Sequence, residues 1–154
     1  MTPEERALLI KRYKDGGSAF LEALNAVPEA ALDSAPAGEW SAREIAHHVA
    51  DAELVRGYRL RQLLAQDAPR IQAFDEAQFA ARLHYYRPVQ ASLSLFKAAV
   101  ASNLELLVLA LPEEWLRPGQ HDEAGPFTLE DLLERAANHC FDHSEQVRKL
   151  SGHG

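Results

Sequence analysis

The stretch LEDLLERAANHCFDHSEQVRKL, residues 129–150, decides the fold. Its apolar or small residues fall at 129, 132, 133, 136, 140, 147 and 150. That recurrence at three and four residues makes an amphipathic helix with one buried stripe. His139 and His143 stand on or beside the stripe, four residues apart. On a helix this spacing puts two imidazoles on one face, about 5–6 Å apart. An imidazole on a buried face needs a partner, either a hydrogen bond or a metal ion. Upstream, SAREIAHHVADAELVRGYRLRQLLAQ, residues 41–66, places His48 in register with Ile45, Ala52 and Val55 on a second apolar face. Three histidines on two helices can therefore converge.

The remaining punctuation gives four long helices. The first is predicted from Pro3 to Val27, with Thr2 as N-cap and Pro28 beyond its end, and Gly16 and Gly17 weaken its middle. The second starts at Ser41, where Glu44 three residues on completes a capping box, and runs to about Gln66. A connection follows that holds a short extra helix near Phe74 to Leu83. The third helix runs from Pro88 to Leu111 and stops at Pro112, and the fourth runs from about Thr128 to a point before Gly152. Helices of this length span about 33–39 Å, so an all-α four-helix bundle with a long crossover connection is the economical packing. No stretch shows the sustained alternation of strands, and EEWLRPGQHDEAGPF, residues 113–127, reads as an irregular loop around His121.

The 154 residues are expected to form a single domain. With 16 basic against 23 acidic residues the net charge is -7, without the basic footprint that nucleic acid requires. The lone Cys140 excludes an internal disulfide and suits a reducing compartment. The charged N-terminal stretch lacks the apolar core of a signal peptide, and no apolar run is read as approaching the roughly 18 residues of a membrane span. A cytoplasmic protein without a membrane or nucleic-acid partner is the expectation.

His48, His139 and His143 supply the three protein ligands typical of a catalytic zinc site that keeps one position open. His47 competes with His48, since about 100° of helix rotation separates them and only one is expected to face the bundle centre. The ordinary alternative makes His47 a surface residue paired with Asp51, and His48 a core imidazole bonded to a carbonyl. Asp51 and Glu53 are either carboxylates orienting a ligand histidine or solvated helix charges. Asp142 reads as surface and Cys140 as a small buried thiol. Gln146 can stand on the face of His139 and His143 and hydrogen-bond beside them. Trp40 is expected to pack as a staple onto the second helix. Tyr58 and Arg59 are candidates for a pocket wall, with packing and solvation as their default roles.

EWSAREIAHHVADAE in the first half and NHCFDHSEQVRKL near the C-terminus together resemble the DinB-like (DinB/YfiT-like) family of four-helix metalloproteins. The resemblance covers most of the chain. It rests on Trp40, Ser41, His48 and the H-x3-H-x2-Q pattern of His139, His143 and Gln146. It implies a divalent metal, Zn or Ni, on His48, His139 and His143, with the extra His47 an alternative to His48. It also implies a small-molecule substrate, either metal-dependent hydrolysis or thiol transfer with a low-molecular-weight thiol cosubstrate, and a homodimer. The alternative is a non-catalytic metal-binding or structural bundle, which a closed site with four protein ligands would favour.

Overall fold

Capping chemistry sets where most of the helices begin. In the computed structural model, which describes residues 1–151, α1 spans Pro3–Asn25, α2 Ala42–Ala65, α3 Glu76–Arg82, α4 Gln90–Leu109 and α5 Leu129–Ser151. The Ser41 hydroxyl accepts from the Glu44 amide while the Glu44 carboxylate accepts from the Ser41 amide, closing the predicted capping box. Thr2 and Glu5 do the same for α1, and Thr128 and Asp131 for α5. α1 ends two residues before the predicted Val27, and α4 covers a little less than the predicted span. The fourth helix reaches Ser151, and the stop predicted before Gly152 falls at the border of the described residues.

α1, α2, α4 and α5 form a four-helix bundle in which α1 lies along α5 and α2 along α4, with α2 also against α5 and α1 against α4. Side-chain partners give the directions. Arg6 meets Glu130 and Arg12 meets Asn138, so α1 and α5 run parallel. His47 meets Ser92 and Arg61 meets Ser102, so α2 and α4 run parallel too. The contacts of Phe20 with Phe96 and of Glu53 with Cys140 set one pair antiparallel to the other. Because α2 and α4 are parallel, residues 66–89 must travel back along the bundle, which is the predicted crossover, and α3 is its short extra helix. This return carries the crossover across the face of α2.

The loop expected to be irregular forms a small sheet instead. β1 (Arg70–Ile71) pairs in parallel with β2 (Gly119–His121), and β2 pairs antiparallel with β3 (Gly125–Phe127). Strands of two or three residues are too short to show alternation, so the sequence carries no sign of them. Arg117, just before β2, donates to the Leu64 carbonyl at the C-terminal end of α2, where helix carbonyls lack partners.

Gly16 and Gly17 do not interrupt α1. A Cβ on Gly16 would stand 3.1 Å from the Phe141 ring, so the missing side chain is what lets α1 and α5 approach. α4 departs from expectation in another way. It has 20 residues, and its most apolar 18-residue stretch has a mean hydropathy of 1.4, long and apolar enough by length and composition to cross a membrane. Here Phe96, Val100 and Leu107 are buried in the bundle, while Val108 and Leu109 are exposed.

Ser41→Ala should lower stability by about 1 kcal/mol through loss of the α2 cap, and Ser41→Asp should retain most of it. The midpoint of urea unfolding reads the difference; an unchanged midpoint in the alanine variant would show that the cap is dispensable.

Candidate metal centre

His48 enters the bundle from the second turn of α2, and His139 and His143 face it from α5. The ring centroids stand 5.4 Å apart for His48 and His139, 4.8 Å for His48 and His143, and 4.6 Å for His139 and His143. One nitrogen from each ring lies within 4.8 Å of the other two. Trp40 packs tilted against His48 at 4.8 Å, and Phe74 of the crossover stacks parallel to it at 6.2 Å. The expected staple residue is thus also a wall of the histidine cluster.

Burial keeps these imidazoles neutral. It pushes His48 down to about 4, with the charges of His143 and Arg56 adding to the effect. Burial, then Arg56, depresses His139 further, and burial also lowers His143. Nδ1 of His143 is 2.9 Å from Gln146 Oε1, so it is the N–H that donates, leaving Nε2 as the lone-pair nitrogen. Nδ1 of His48 and Nδ1 of His139 are buried without a hydrogen-bond partner. Orphaned buried nitrogens are rare and costly. Three deprotonated imidazoles, two of them with an unpartnered nitrogen, fit a borderline divalent ion such as Zn or Ni.

The other candidates separate from this cluster. His47 is not at the surface. Its Nδ1 accepts from the Ser92 hydroxyl at 2.8 Å, and its Nε2 donates to the Arg87 carbonyl at 2.9 Å. Both nitrogens are used in tying α2 to the start of α4. The expectation that only one of the adjacent histidines points inward fails because α2 is covered on several sides. Asp51 pairs with neither His47 nor a clustered histidine; it accepts from the Tyr85 hydroxyl at 2.7 Å. Tyr58 is 62% exposed and lines a neighbouring groove, not the histidine cluster.

Glu53 is fully buried rather than solvated, bonded to Tyr13 and Arg56. With His139 and Cys140 it forms a second group of donors. Glu53 is already neutralised by Arg56, and burial followed by the Glu53 charge pushes the Cys140 thiol up. A protonated thiol and a committed carboxylate are poor ligands. His121 is buried in β2, where its Nδ1 accepts from the Glu123 and Ala124 amides.

A cavity of about 190 Å³ opens beside His139, lined among others by Arg56, Arg59, Phe74, Glu76, Phe127 and Arg135. Glu76 Oε2 lies 4.0 Å from His48 Nε2, and its side chain is 54% exposed. Sequence reading missed Glu76 and Phe74 because a connection supplies them, and no helical register links that connection to His48. Arg135 had a signal, since it stands one turn before His139.

The sequence pattern of the DinB superfamily matches residues 12–147. An Oceanobacillus iheyensis protein, whose name proposes a metal-dependent hydrolase, is 28% identical over 113 residues, covering 73% of this chain and 66% of its own. A Halalkalibacterium halodurans protein with the same form of name is 24% identical over 70% of this chain and 65% of its own. The chain thus spans slightly less than two thirds of the length of these two relatives. YfiT from Bacillus subtilis, described as a probable metal-dependent hydrolase with an unusual four-helix bundle topology, superposes with a TM-score of 0.90 at 21% identity. That match covers 99% of this chain and 89% of YfiT. The mycothiol-dependent maleylpyruvate isomerase superposes with a TM-score of 0.76 at 14% identity, over 96% of this chain and 61% of the isomerase.

The depressed histidines make the metal-free protein pH-sensitive. His48 lies below its ordinary 6.5 when folded, so unfolding takes up protons in acid. Its contribution is whole above about 6.5 and is lost as pH falls towards about 4. Metal-free wild type should therefore lose more Tm between pH about 7 and about 5 than a His48→Gln/His139→Gln variant. Parallel curves for the two proteins would show that these imidazoles do not carry the effect.

Proposed function

The chain belongs to the DinB superfamily, and from that premise we propose that it is a metal-dependent enzyme acting on a small molecule, with His48, His139 and His143 as the ligands of a divalent ion. The observation that carries the proposal is the meeting of three neutral imidazoles with a cavity that His139 itself lines. A site with three protein ligands and space beside it suits catalysis, whereas structural zinc is usually closed by four. Hydrolysis is the reaction favoured by the names of the relatives. His48, His139 and His143 would hold the divalent ion, which when bound would supply Lewis acidity towards a substrate oxygen, a water or a thiol.

The chain's own residues supply the rest. Gln146 accepts from His143 Nδ1 and so fixes which nitrogen the ring turns away. Trp40 and Phe74 both pack against the His48 ring, which is buried. Glu76 is the carboxylate lining the cavity, and it is the residue we place to take the proton from the attacking nucleophile. Thiol transfer is the second reading, favoured by the structural likeness to the mycothiol-dependent isomerase.

Alanine at His48, His139 or His143 should each weaken Zn or Ni binding at least about 100-fold and abolish turnover, while the bundle remains helical by circular dichroism. Unchanged affinity in all three variants would remove them as ligands. Paired assays of ester and amide substrates with and without added low-molecular-weight thiols separate the reactions. Turnover in water alone is expected of a hydrolase; turnover only with thiol would establish the second reading.

A further inference from the structure

The chain carries a net charge of -7, yet the cavity beside His139 gathers three arginines and a single carboxylate, Glu76. Arg56 is compensated from behind by its ion pair with buried Glu53. Arg59 and Arg135 are not: among the described residues neither forms an ion pair. Arg59 comes from α2 and donates to the Gln72 carbonyl at 2.6 Å, one hydrogen bond out of five available N–H groups. Arg135 comes from the facing α5 and lies over the Phe127 ring at 5.3 Å, a stacking contact that leaves its edge free. Two guanidinium groups without an ion-pair partner oppose each other when placed together, and burial, Arg56 and Arg135 push Arg59 below its ordinary value, with Glu123 offsetting only part of this. An arrangement of that kind gains most from a bound anion.

We infer that Arg59 and Arg135 form an acid-recognition subsite, which binds a carboxylate of the small-molecule substrate while its reacting end lies at the histidine cluster. The inference rests on the reading of His48, His139 and His143 as the reactive end. The antiparallel course of α2 and α5 supports the placement. Arg135 is one turn from His139 on α5, and α2 presents Ala52, Val55 and then Arg59 along the same cavity. Phe74 and Phe127 wall the space between, so the part of the substrate joining acid to reacting group is apolar. Guanidinium groups meet carboxylates through paired N–H donors, which fixes orientation as well as charge. A neighbouring groove of about 410 Å³ shares Val55, Arg59 and Phe74 with the cavity, giving room for a substituent beyond the acid.

Phenylacetate and its neutral counterpart phenylacetamide test the subsite by NMR titration of Zn-loaded and metal-stripped protein. Wild type should bind the acid at least about tenfold more tightly than the amide in both forms. Arg59→Gln/Arg135→Gln should reduce that ratio to within about twofold without changing amide affinity, and Arg59→Lys/Arg135→Lys should keep part of it. Equal binding of the two probes by wild type, no binding of either, or a preference that survives in the glutamine variant would overturn the subsite. Metal analysis of the same samples keeps the two readings apart. An arginine-dependent preference in a protein that takes up no Zn would support the acid subsite and defeat the metal reading of the histidines.

Discussion

Burying a polar nitrogen without a partner costs free energy, and in this chain two such nitrogens belong to His48 and His139, whose rings meet in one place. The surrounding structure holds them there. Antiparallel packing of α2 on α5 brings the three imidazoles together, burial strips their protons, and Gln146 turns His143. A cluster of neutral nitrogen donors held against its own solvation is what a divalent ion relieves. The imidazole cluster is therefore set by the packing of the helices themselves.

Around that cluster the bundle is braced by polar contacts deeper in the core. Tyr13 of α1, Glu53 and Arg56 of α2, and Asn103 of α4 form a connected network behind His139 and Cys140. A buried, fully partnered network of this kind ties three helices to one arrangement. It also supplies the Arg56 charge that helps keep His48 and His139 unprotonated. His47 has a related task at the other side of α2, where Ser92 and the Arg87 carbonyl hold both its nitrogens. Adjacent histidines thus serve different ends, one fixing helix positions and the other facing the cavity side of α5.

Much of this arrangement was legible in the sequence, for reasons that particular residues make plain. Ser41 with Glu44, and Thr2 with Glu5, announce helix starts because capping needs side chains at fixed offsets. His139 and His143 are legible as a pair because one helix carries both. The crossover followed from the spacing between α2 and α4. What was not legible comes from non-local geometry. Phe74 and Glu76 reach His48 only because the crossover returns past α2. β1, β2 and β3 are too short to leave a period, and the burial of His47 depends on how many elements cover α2. The apolar length of α4 was under-read because Lys97 and Glu105 interrupt it without lowering its mean hydropathy below that of a membrane span.

A small-molecule chemistry is consistent with each level of this description. The cavity is smaller than the roughly 300–1,000 Å³ of common ligand pockets, and His139, Glu76 and the arginines converge on it. The central claim is that the three imidazoles exist to hold an ion. Elemental analysis of untagged protein, purified without added metal or chelator, tests that claim most directly. The account predicts about one divalent ion per chain; protein that is free of metal and takes up neither Zn nor Ni near neutral pH would contradict it.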